Sequence, residues 1–314
     1  MIAIIRKNLI KEKMLVVFIL MFVAMIFLSP FFLTVDNLVN ILLQMSVYGI
    51  IACGMTVAII GGDFDLSVGS VAALSGLITV ILDVKIGLVP AIISAVVIGC
   101  IIGVVNGLLV SFAKINSFVV TLSAMVIYYG FALKVCNGNP IQSTNDVFSE
   151  LGNGTLLGIP YPVYVFFIFI IITHIMLTKM KFGRNIFATG GNYDVAKLTG
   201  IKVRLYKASI FVFASFAASV GGILLAARLG TGAPNQAQDA AMTVVSAVVI
   251  GGTSLSGGQG SVIRTLLGLS ILGILTNGLN LLNVYPYFQM ALKGIILVAV
   301  VATDSYYKKN LKRV

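Results

Sequence analysis

Long apolar runs separated by short polar segments dominate the chain. Ten such runs are recognised, at about 14–33, 38–60, 66–82, 88–112, 117–134, 161–178, 206–228, 240–254, 260–282 and 287–303. Most of them have about the twenty residues that an α-helix needs to cross a bilayer. The pattern predicts an all-α integral membrane protein, a bundle of about ten transmembrane helices in a single domain that covers residues 1–314.

The composition supports this interpretation. Hydrophobic residues make up 59% of the chain and charged residues 10%, and the mean hydropathy is +1.08. Soluble proteins carry about 25% charged residues, and a soluble fold of this size must expose most of its residues to water. The first run, from Met14 to Leu33, is too long for the core of a signal peptide and is interpreted as a retained helix.

The basic residues follow the order of the runs. If the ten runs alternate in direction, the side that holds both termini receives every one of the 21 Lys and Arg residues except Lys85, Lys134, Arg228 and Lys293. Positively charged loops mark the cytoplasmic side of membrane proteins. We therefore expect both termini in the cytoplasm, and we interpret the net charge of +11 as a topology signal, not as a nucleic-acid surface.

Two loops are longer than the others, a polar external loop at about 135–160 and a basic cytoplasmic loop at about 179–206. The second contains the pattern of a short helix at 192–199. Asn192 is a good N-cap, Asp194 and Lys197 suit the two ends of the helix dipole, and Gly200 is a good C′ residue. Two turns of helix are not stable alone in water, so this helix must rest on its own bundle or in the groove of a partner.

Two glycine-rich junctions interrupt the apolar runs. They begin at Gly61-Gly62 and at Gly251-Gly252, and both continue through a short polar stretch into Leu-Ser and further glycines. Asp63 and Asp65 lie in the first junction, where turn formation and capping explain them as well as catalysis or metal binding does. We predict no metal site, and the similarity of the two junctions suggests an internal repeat.

Residues 255–259 read Leu-Ser-Gly-Gly-Gln, the signature pentapeptide of ABC ATPase domains. Such a domain also needs a Gly-x-x-x-x-Gly-Lys-Ser/Thr loop to hold phosphates, and the chain contains neither Gly-Lys-Ser nor Gly-Lys-Thr. The surrounding residues are membrane helix. We therefore expect a protein that is not an enzyme and binds no cofactor of its own.

Polar side chains inside apolar runs are candidates for a substrate pathway, because such groups are costly in lipid and face a cavity or a partner. Structural pairing between helices is the alternative explanation for each of them. The candidates are Asn106, Thr121, Ser123, Tyr128, Asn277 and Lys293.

These motifs together resemble the monosaccharide permeases of bacterial ABC importers, the ribose, xylose and galactose type. The resemblance spans about residues 35–304. Two positions depart from it. Phe64 stands where an aliphatic residue is expected, and Gln238-Asp239 stands where the family often has an acidic pair. The residues that carry it are Gly-Gly-Asp-Phe-Asp-Leu-Ser-Val-Gly-Ser at 61–70, Asn106-Gly107, Phe118–Leu122, Phe182-Gly-Arg184, Ala188 with Gly190-Gly191-Asn192, Gly251–Leu255, Gly257-Gly258 and Lys293-Gly294.

The resemblance implies a multi-pass protein of the bacterial cytoplasmic membrane that imports a monosaccharide, with ribose as the nearest example. It also implies a second permease copy, an ATP-binding subunit that holds ATP and magnesium, and an extracytoplasmic sugar-binding protein that docks on the 135–160 loop. The short helix becomes a coupling helix in a groove of the ATPase. The residues assigned to contact with the ATPase are Gly190, Gly191, Asn192, Tyr193, Asp194, Ala196 and Lys197.

Two alternatives stay open. Related permeases import nucleosides or an autoinducer sugar, so the solute is not fixed by the motifs. An ion-coupled secondary transporter is the other possibility, although it predicts acidic groups or broken helices at the membrane midplane.

Overall fold

The fold is given by a computed structural model that describes residues 2–311, with side chains for residues 14–296, 298, 299 and 302. Helices predominate from the first described residue to the last. The first five are α1 (Ile2–Leu28), α2 (Val35–Ile60), α3 (Val68–Ile86), α4 (Leu88–Ser111) and α5 (Ser117–Val135).

The loop that follows α5, which the sequence predicts to be external, has more structure than the sequence indicated. It contains β1 (Ile141–Gln142), α6 (Asp146–Asn153), β2 (Thr155–Leu156) and β3 (Ile159–Pro160). Strands β2 and β3 form a small antiparallel hairpin, with Leu156 opposite Ile159. Strand β1 pairs with a later strand, β4, so that Ile141 lies opposite Gly232.

The second half returns to long helices. It contains α7 (Tyr161–Lys179), α8 (Lys181–Gly191), α9 (Tyr193–Leu198), α10 (Val203–Leu229), β4 (Thr231–Gly232), α11 (Ala240–Ile250), α12 (Val262–Leu281) and α13 (Pro286–Leu311). Helix α9 is the short helix predicted at 192–199, whereas α8 was not predicted as a helix.

Among the described residues, seven helices are long and apolar enough to cross a membrane: α2, α3, α4, α5, α7, α10 and α12. Two further apolar helices are shorter, Met14–Leu28 in α1 and Ala240–Ile250, which is α11. The prediction of an all-α membrane protein is confirmed. The number of ten crossings is not, because α11 has only eleven residues and would rise about 16 Å.

Helix α10 lies at the centre, packed along α2, α3 and α4. Small residues make this close packing possible. A Cβ atom at Gly103 would lie 2.7 Å from the carbonyl oxygen of Phe211, and one at Gly107 would lie 2.6 Å from that of Ala208. These glycines of α4 therefore let its backbone approach that of α10 closely.

The two glycine junctions have the same backbone geometry. Gly62 and Gly252 have φ angles of 85° and 84°. Asp63 donates its backbone N–H to Ala58, and Thr253 donates to Val248. Each junction therefore ends its helix in the same left-handed turn, and the internal repeat stays a prediction.

The two junctions meet the end of α8 in a contact made by backbone atoms, which we call the glycine hub: residues 60–62, 190–191 and 257–258. The N–H of Gly258 donates to the carbonyl of Ile60 over 2.8 Å. A Cβ atom at Gly190 would overlap that same carbonyl oxygen, and one at Gly258 would lie 2.5 Å from the Cα of Gly191. A side chain at either position would therefore separate the three segments.

Replacement of Gly190 by alanine is expected to destabilise the protein. The added methyl group has no room against the Ile60 carbonyl, and overpacking of this kind costs about 1–3 kcal/mol. The midpoint of thermal unfolding in detergent, followed by a thiol-reactive dye, measures the effect.

Gly130→Ala is the matched control. Gly130 lies inside α5 with no neighbouring atom within 4 Å of an added Cβ, so this change should be neutral or stabilising by about 0.5–1 kcal/mol. Equal unfolding midpoints for the two variants would show that the glycine hub is not a tight contact.

Candidate functional site

Helix α9 has a defined cap at each end. The side chain of Asn192 accepts a hydrogen bond from the N–H of Val195 over 3.1 Å. At the other end Gly200 has a φ of 82°, and Ile201 and Gly200 donate to the carbonyls of Ala196 and Lys197. Both caps predicted from the sequence, Asn192 and Gly200, are confirmed.

The side chains of α9 divide into one buried residue and an exposed apolar set. Ala196 is buried against the rest of the protein, whereas Val195 is 55% exposed and Leu198 87% exposed. Tyr193 is also exposed at the first turn. A short helix that shows its larger apolar side chains outward has an unfilled contact surface.

Helix α8 fixes α9 to the bundle. Asn185 of α8 donates a hydrogen bond to the hydroxyl of Tyr206 over 2.6 Å, and the Phe182 ring lies 5.7 Å from the ring of Tyr206. Ile186 is fully buried. Helix α8 therefore packs on the start of α10 and ends at Gly190 and Gly191 in the glycine hub, one residue before the cap of α9.

Lys207 links α9 to the first junction. Its ammonium group lies 2.9 Å from the carboxylate of Asp63 and 5.9 Å from the centre of the Tyr193 ring. The Asp63 side chain is almost completely buried, and that of Lys207 is mostly buried. An ion pair of low exposure is costly to break, so this lysine connects α9 to the α2–α3 junction.

A cavity of about 740 Å³ opens beside these residues. It lies between α9, the α2–α3 junction, the α4–α5 turn and the start of α10. Its walls are rich in basic side chains, which are Lys114, Lys197, Arg204 and Lys207, with Asp63 and Asp194 as the acidic members.

The second aspartate of the junction lies deeper. Asp65 is fully buried, and its Oδ1 accepts hydrogen bonds from the N–H and the hydroxyl of Ser67 over 3.0 and 2.5 Å. Asn106 donates to the same hydroxyl over 3.0 Å. Burial raises the pKa of Asp65 to about 6, although its hydrogen bonds with Ser67 lower it. This network ties α4 to the junction that precedes α3.

Thr121 lies near this network. It is fully buried and donates to the carbonyl of Ser117 in its own helix, with a longer contact of 3.4 Å to the carbonyl of Phe64. Tyr128 is half-buried and Ser123 exposed on the same helix. The structure therefore brings Asn106 and Thr121 to the α2–α3 junction but does not join Ser123 to them.

The other two pathway candidates lie elsewhere. Asn277 exchanges two amide hydrogen bonds with Asn37, of 2.8 and 3.1 Å, which join α12 to α2. Lys293 forms an ion pair of 3.2 Å with Asp239.

Asp239 is the centre of a second polar cluster. Its other oxygen accepts a hydrogen bond from the hydroxyl of Tyr48 over 3.0 Å, and Thr243 lies 3.3 Å from the carboxylate. Tyr48 lies at the middle of the 26-residue α2.

Sequence reasoning did not select Asp239, Tyr48 or Lys207 as site residues. Asp239 was noted only as a departure from a motif, and Lys207 only as one cytoplasmic charge among many. The available signal was that Asp239 directly precedes the apolar run of α11. Within the part of the chain whose side chains are described, no group of three or more His, Cys, Asp and Glu side chains is arranged to hold a metal ion.

The buried carboxylate predicts a step in the dependence of stability on pH. The pKa of Asp65 is raised from 3.8 to about 6 in the folded protein, so the folded state holds this proton more tightly than the unfolded state. Stability then falls as the pH rises from about 4 to about 6 and stays lowered above that range. Asp65→Asn should remove this step from the unfolding midpoint measured against pH.

Asp146→Asn, at an exposed carboxylate of α6, is the control and should keep the step. A profile of Asp65→Asn that is parallel to that of the unaltered protein across this range would contradict the interpretation.

The chain is similar to known membrane permeases. The family described as branched-chain amino acid transport system / permease component matches residues 37–301. The ribose import permease protein RbsC of Escherichia coli (strain K12) is 37% identical over 302 residues, which cover 95% of this chain and 94% of that protein. RbsC of Bacillus subtilis (strain 168) is 40% identical over 293 residues, 91% of this chain and 90% of that protein.

A third relative carries a different sugar in its name. The L-arabinose transport system permease protein AraH of Escherichia coli (strain K12) is 37% identical over 302 residues, 96% of this chain and 92% of that protein. No solved structure matches the chain. Both the family match and the relatives extend over nearly all of the described helices, so the chain belongs to the permease component family of branched-chain amino acid transport systems.

Proposed function

We propose that this chain is the membrane-spanning permease subunit of an ABC importer, and that its solute is a monosaccharide of the pentose class. The names of its relatives give ribose and L-arabinose, which are both pentoses. The single observation that carries the proposal in the structure is α9, a capped helix with Val195 and Leu198 exposed.

Helix α9 has the features of a coupling helix. Exposed apolar side chains on a short helix fit the hydrophobic groove of a partner, and the ATP-binding subunit supplies that groove. When the ATPase moves α9, the Lys207–Asp63 ion pair and the glycine hub pass the movement to α2, α3, α11 and α12. The bundle then tilts between outward-open and inward-open states.

The energy for this movement comes from the partner. The chain carries the pentapeptide at 255–259 but no phosphate-binding Gly-Lys-Ser/Thr. In the fold the pentapeptide is part of the turn between α11 and α12, where Gly258 bonds to Ile60. ATP and magnesium therefore belong to the ATP-binding subunit, and this chain is not an enzyme.

Ten crossings with both termini in the cytoplasm complete the proposal for the fold. The seven long apolar helices, α1 and α13 give nine crossings. Helix α11 is too short to span the membrane alone, so the tenth crossing is proposed to consist of α11 and the non-helical segment 231–239 before it. With that topology α9 and the basic cavity face the cytoplasm, and the loop at 135–160 faces outward toward a sugar-binding protein. A second permease copy would form the other wall of the pathway.

The pathway itself is proposed to pass the cluster at Asp239. A charged pair at the level of the middle of α2 is costly in lipid and is expected to line a polar route. A carboxylate beside a tyrosine ring offers hydrogen-bond acceptors and an apolar face, which together suit a sugar. Asp239, Lys293 and Tyr48 are therefore the residues proposed to meet the solute, and the remaining candidates from the sequence stay predictions.

Reconstitution in proteoliposomes tests the function. The chain, the ATP-binding subunit and the sugar-binding protein encoded with it should together take up labelled ribose or arabinose only when ATP is present on the side of the ATPase. Uptake of nucleosides in place of pentoses would contradict the sugar class. Uptake by this chain alone, driven by an ion gradient, would contradict the importer assignment.

Leu198→Ser tests coupling in the same preparation. The side chain has little contact within the chain, so thermal stability should not change, whereas loss of an apolar anchor should weaken binding of the ATPase about tenfold, equivalent to about 1.4 kcal/mol. Leu205→Ser, at an exposed leucine in the first turn of α10, is the matched control. Unchanged ATPase binding by Leu198→Ser would exclude α9 as the coupling helix.

A double-substitution cycle at Asp239 and Lys293 tests the pathway. Each single alanine variant leaves an unpaired charge within the bundle and should lose both stability and pentose uptake. The double variant should recover thermal stability but not uptake, because the carboxylate that meets the solute is still missing. Lys85→Ala, at an exposed lysine, is the control. Uptake by the double variant at the unaltered rate would show that the pair is only structural.

A further inference from the structure

The hairpin of β2 and β3 has an unusual turn. The two residues between its strands, Leu157 and Gly158, have φ angles of 52° and 77°. Positive φ at both central positions is what a type I′ hairpin turn requires, and asparagine, aspartate or glycine usually supplies it. Leucine disfavours this backbone conformation, so its presence is not explained by the turn itself.

The same leucine has almost no contact with the protein. Leu157 is 91% exposed, and its neighbours Leu156 and Ile159 are also exposed. A strained apolar residue at the tip of a hairpin, next to two more exposed apolar residues, lacks the packing that would offset its cost in water. Something outside the described chain has to cover this tip.

The position of the hairpin indicates what contacts its tip. Strand β3 runs directly into α7, whose 19 residues rise about 28 Å, close to the hydrocarbon thickness of a bilayer. Helix α7 ends at Lys179 on the basic side of the protein. Its first residue, Tyr161, therefore lies at the outer edge of the hydrocarbon, and the hairpin lies at the level of the lipid headgroups.

A hydrogen bond also sets the hairpin above the lipid-facing side of α7. The hydroxyl of Tyr164 donates to the carbonyl of Leu156 over 2.7 Å. Tyr164 shares a helix face with Ile168, Ile171 and Ile175, all three of which are exposed. Exposed isoleucines on a membrane-spanning helix contact lipid, so the hairpin caps that surface.

Charge separates the hairpin from the rest of the external loop. No Asp, Glu, Lys or Arg occurs from Leu151 to Thr178, whereas the earlier part of the loop carries Asp146 and Glu150, and Asn145 there bonds to Asp83. The earlier part suits water or a soluble protein, and the uncharged hairpin suits lipid.

We propose that the hairpin tip, formed by Leu156, Leu157 and Ile159, inserts into the outer interface of the bilayer and anchors the extracytoplasmic end of α7. The tip then belongs to the membrane-contacting surface, and the docking area for an external partner is limited to the part of the loop before Gly154.

The absence of tryptophan from the chain allows a direct test. Leu157→Trp gives a protein with a single tryptophan, reconstituted at full length in lipid nanodiscs with and without lipid that is brominated near the headgroup end of its acyl chains. Emission from position 157 should lie at shorter wavelength than in water, be quenched by brominated lipid and resist aqueous acrylamide.

Two further single-tryptophan proteins calibrate this measurement. Val147→Trp, at an exposed residue of α6 beside Asp146, should respond to acrylamide and not to brominated lipid. Ile168→Trp, on the lipid-facing side of α7, should respond to brominated lipid and not to acrylamide. Leu156→Trp serves as a second hairpin reporter should the turn not accept the larger side chain at 157.

Two outcomes would overturn the proposal. Emission from the hairpin that matches Val147→Trp would show that the tip stands in water. Short-wavelength emission that neither quencher reduces would show that protein, such as a second permease copy, covers it. Quenching of both hairpin reporters by brominated lipid supports insertion.

Discussion

The glycine hub is the contact that joins α9 to the two glycine junctions. Three chain segments that are far apart in sequence approach there through their backbones, and a single hydrogen bond from Gly258 to Ile60 joins two of them. Such proximity is possible only without side chains, because a Cβ atom at Gly190 would occupy the space of the Ile60 carbonyl. The third segment leads directly into α9, so this helix is attached to both glycine junctions at once.

This arrangement gives α9 two different connections to the bundle. One is steric and passes through the glycine hub to the end of α2 and to the turn between α11 and α12. The other is electrostatic and passes through Lys207, which contacts Tyr193 of α9 and Asp63 of the first junction. Close backbone packing resists closer approach of the segments, whereas the ion pair resists separation of its partners. Together they connect a short surface helix to the interior helices.

The sequence was sufficient to predict those features that depend only on residues close together in the chain. The caps of α9 at Asn192 and Gly200 follow from side-chain and backbone preferences within eight residues, and they were predicted. Helix α8 was missed because it is stabilised by Phe182 and Ile186 packing against α10, which is a tertiary effect. The pairing of Asp239 with Lys293 joins residues 54 positions apart in sequence, and no periodic pattern indicates such a partner.

The number of crossings illustrates the same limit. Apolar length alone suggested a full span for the run at 240–254, but α11 has only eleven residues and begins directly after Asp239. The preceding segment does not continue the helix, since it forms β4 and turns. Composition shows that a segment is apolar. Whether the segment forms one continuous helix depends on which neighbouring groups form hydrogen bonds with its backbone N–H and C=O groups.

Two leucines show how the same side chain can indicate different partners. Leu157 and Leu198 are the most exposed leucines among the described residues, at 91% and 87%, and neither is explained by packing within the chain. Leu157 lies in a stretch without charges beside a lipid-facing helix. Leu198 follows Lys197 and lies four and six residues before Lys202 and Arg204, and these charges would be drawn to headgroups or water, not into hydrocarbon. An apolar residue inside a basic surface therefore needs a protein groove with polar edges, and one inside an uncharged surface needs only lipid.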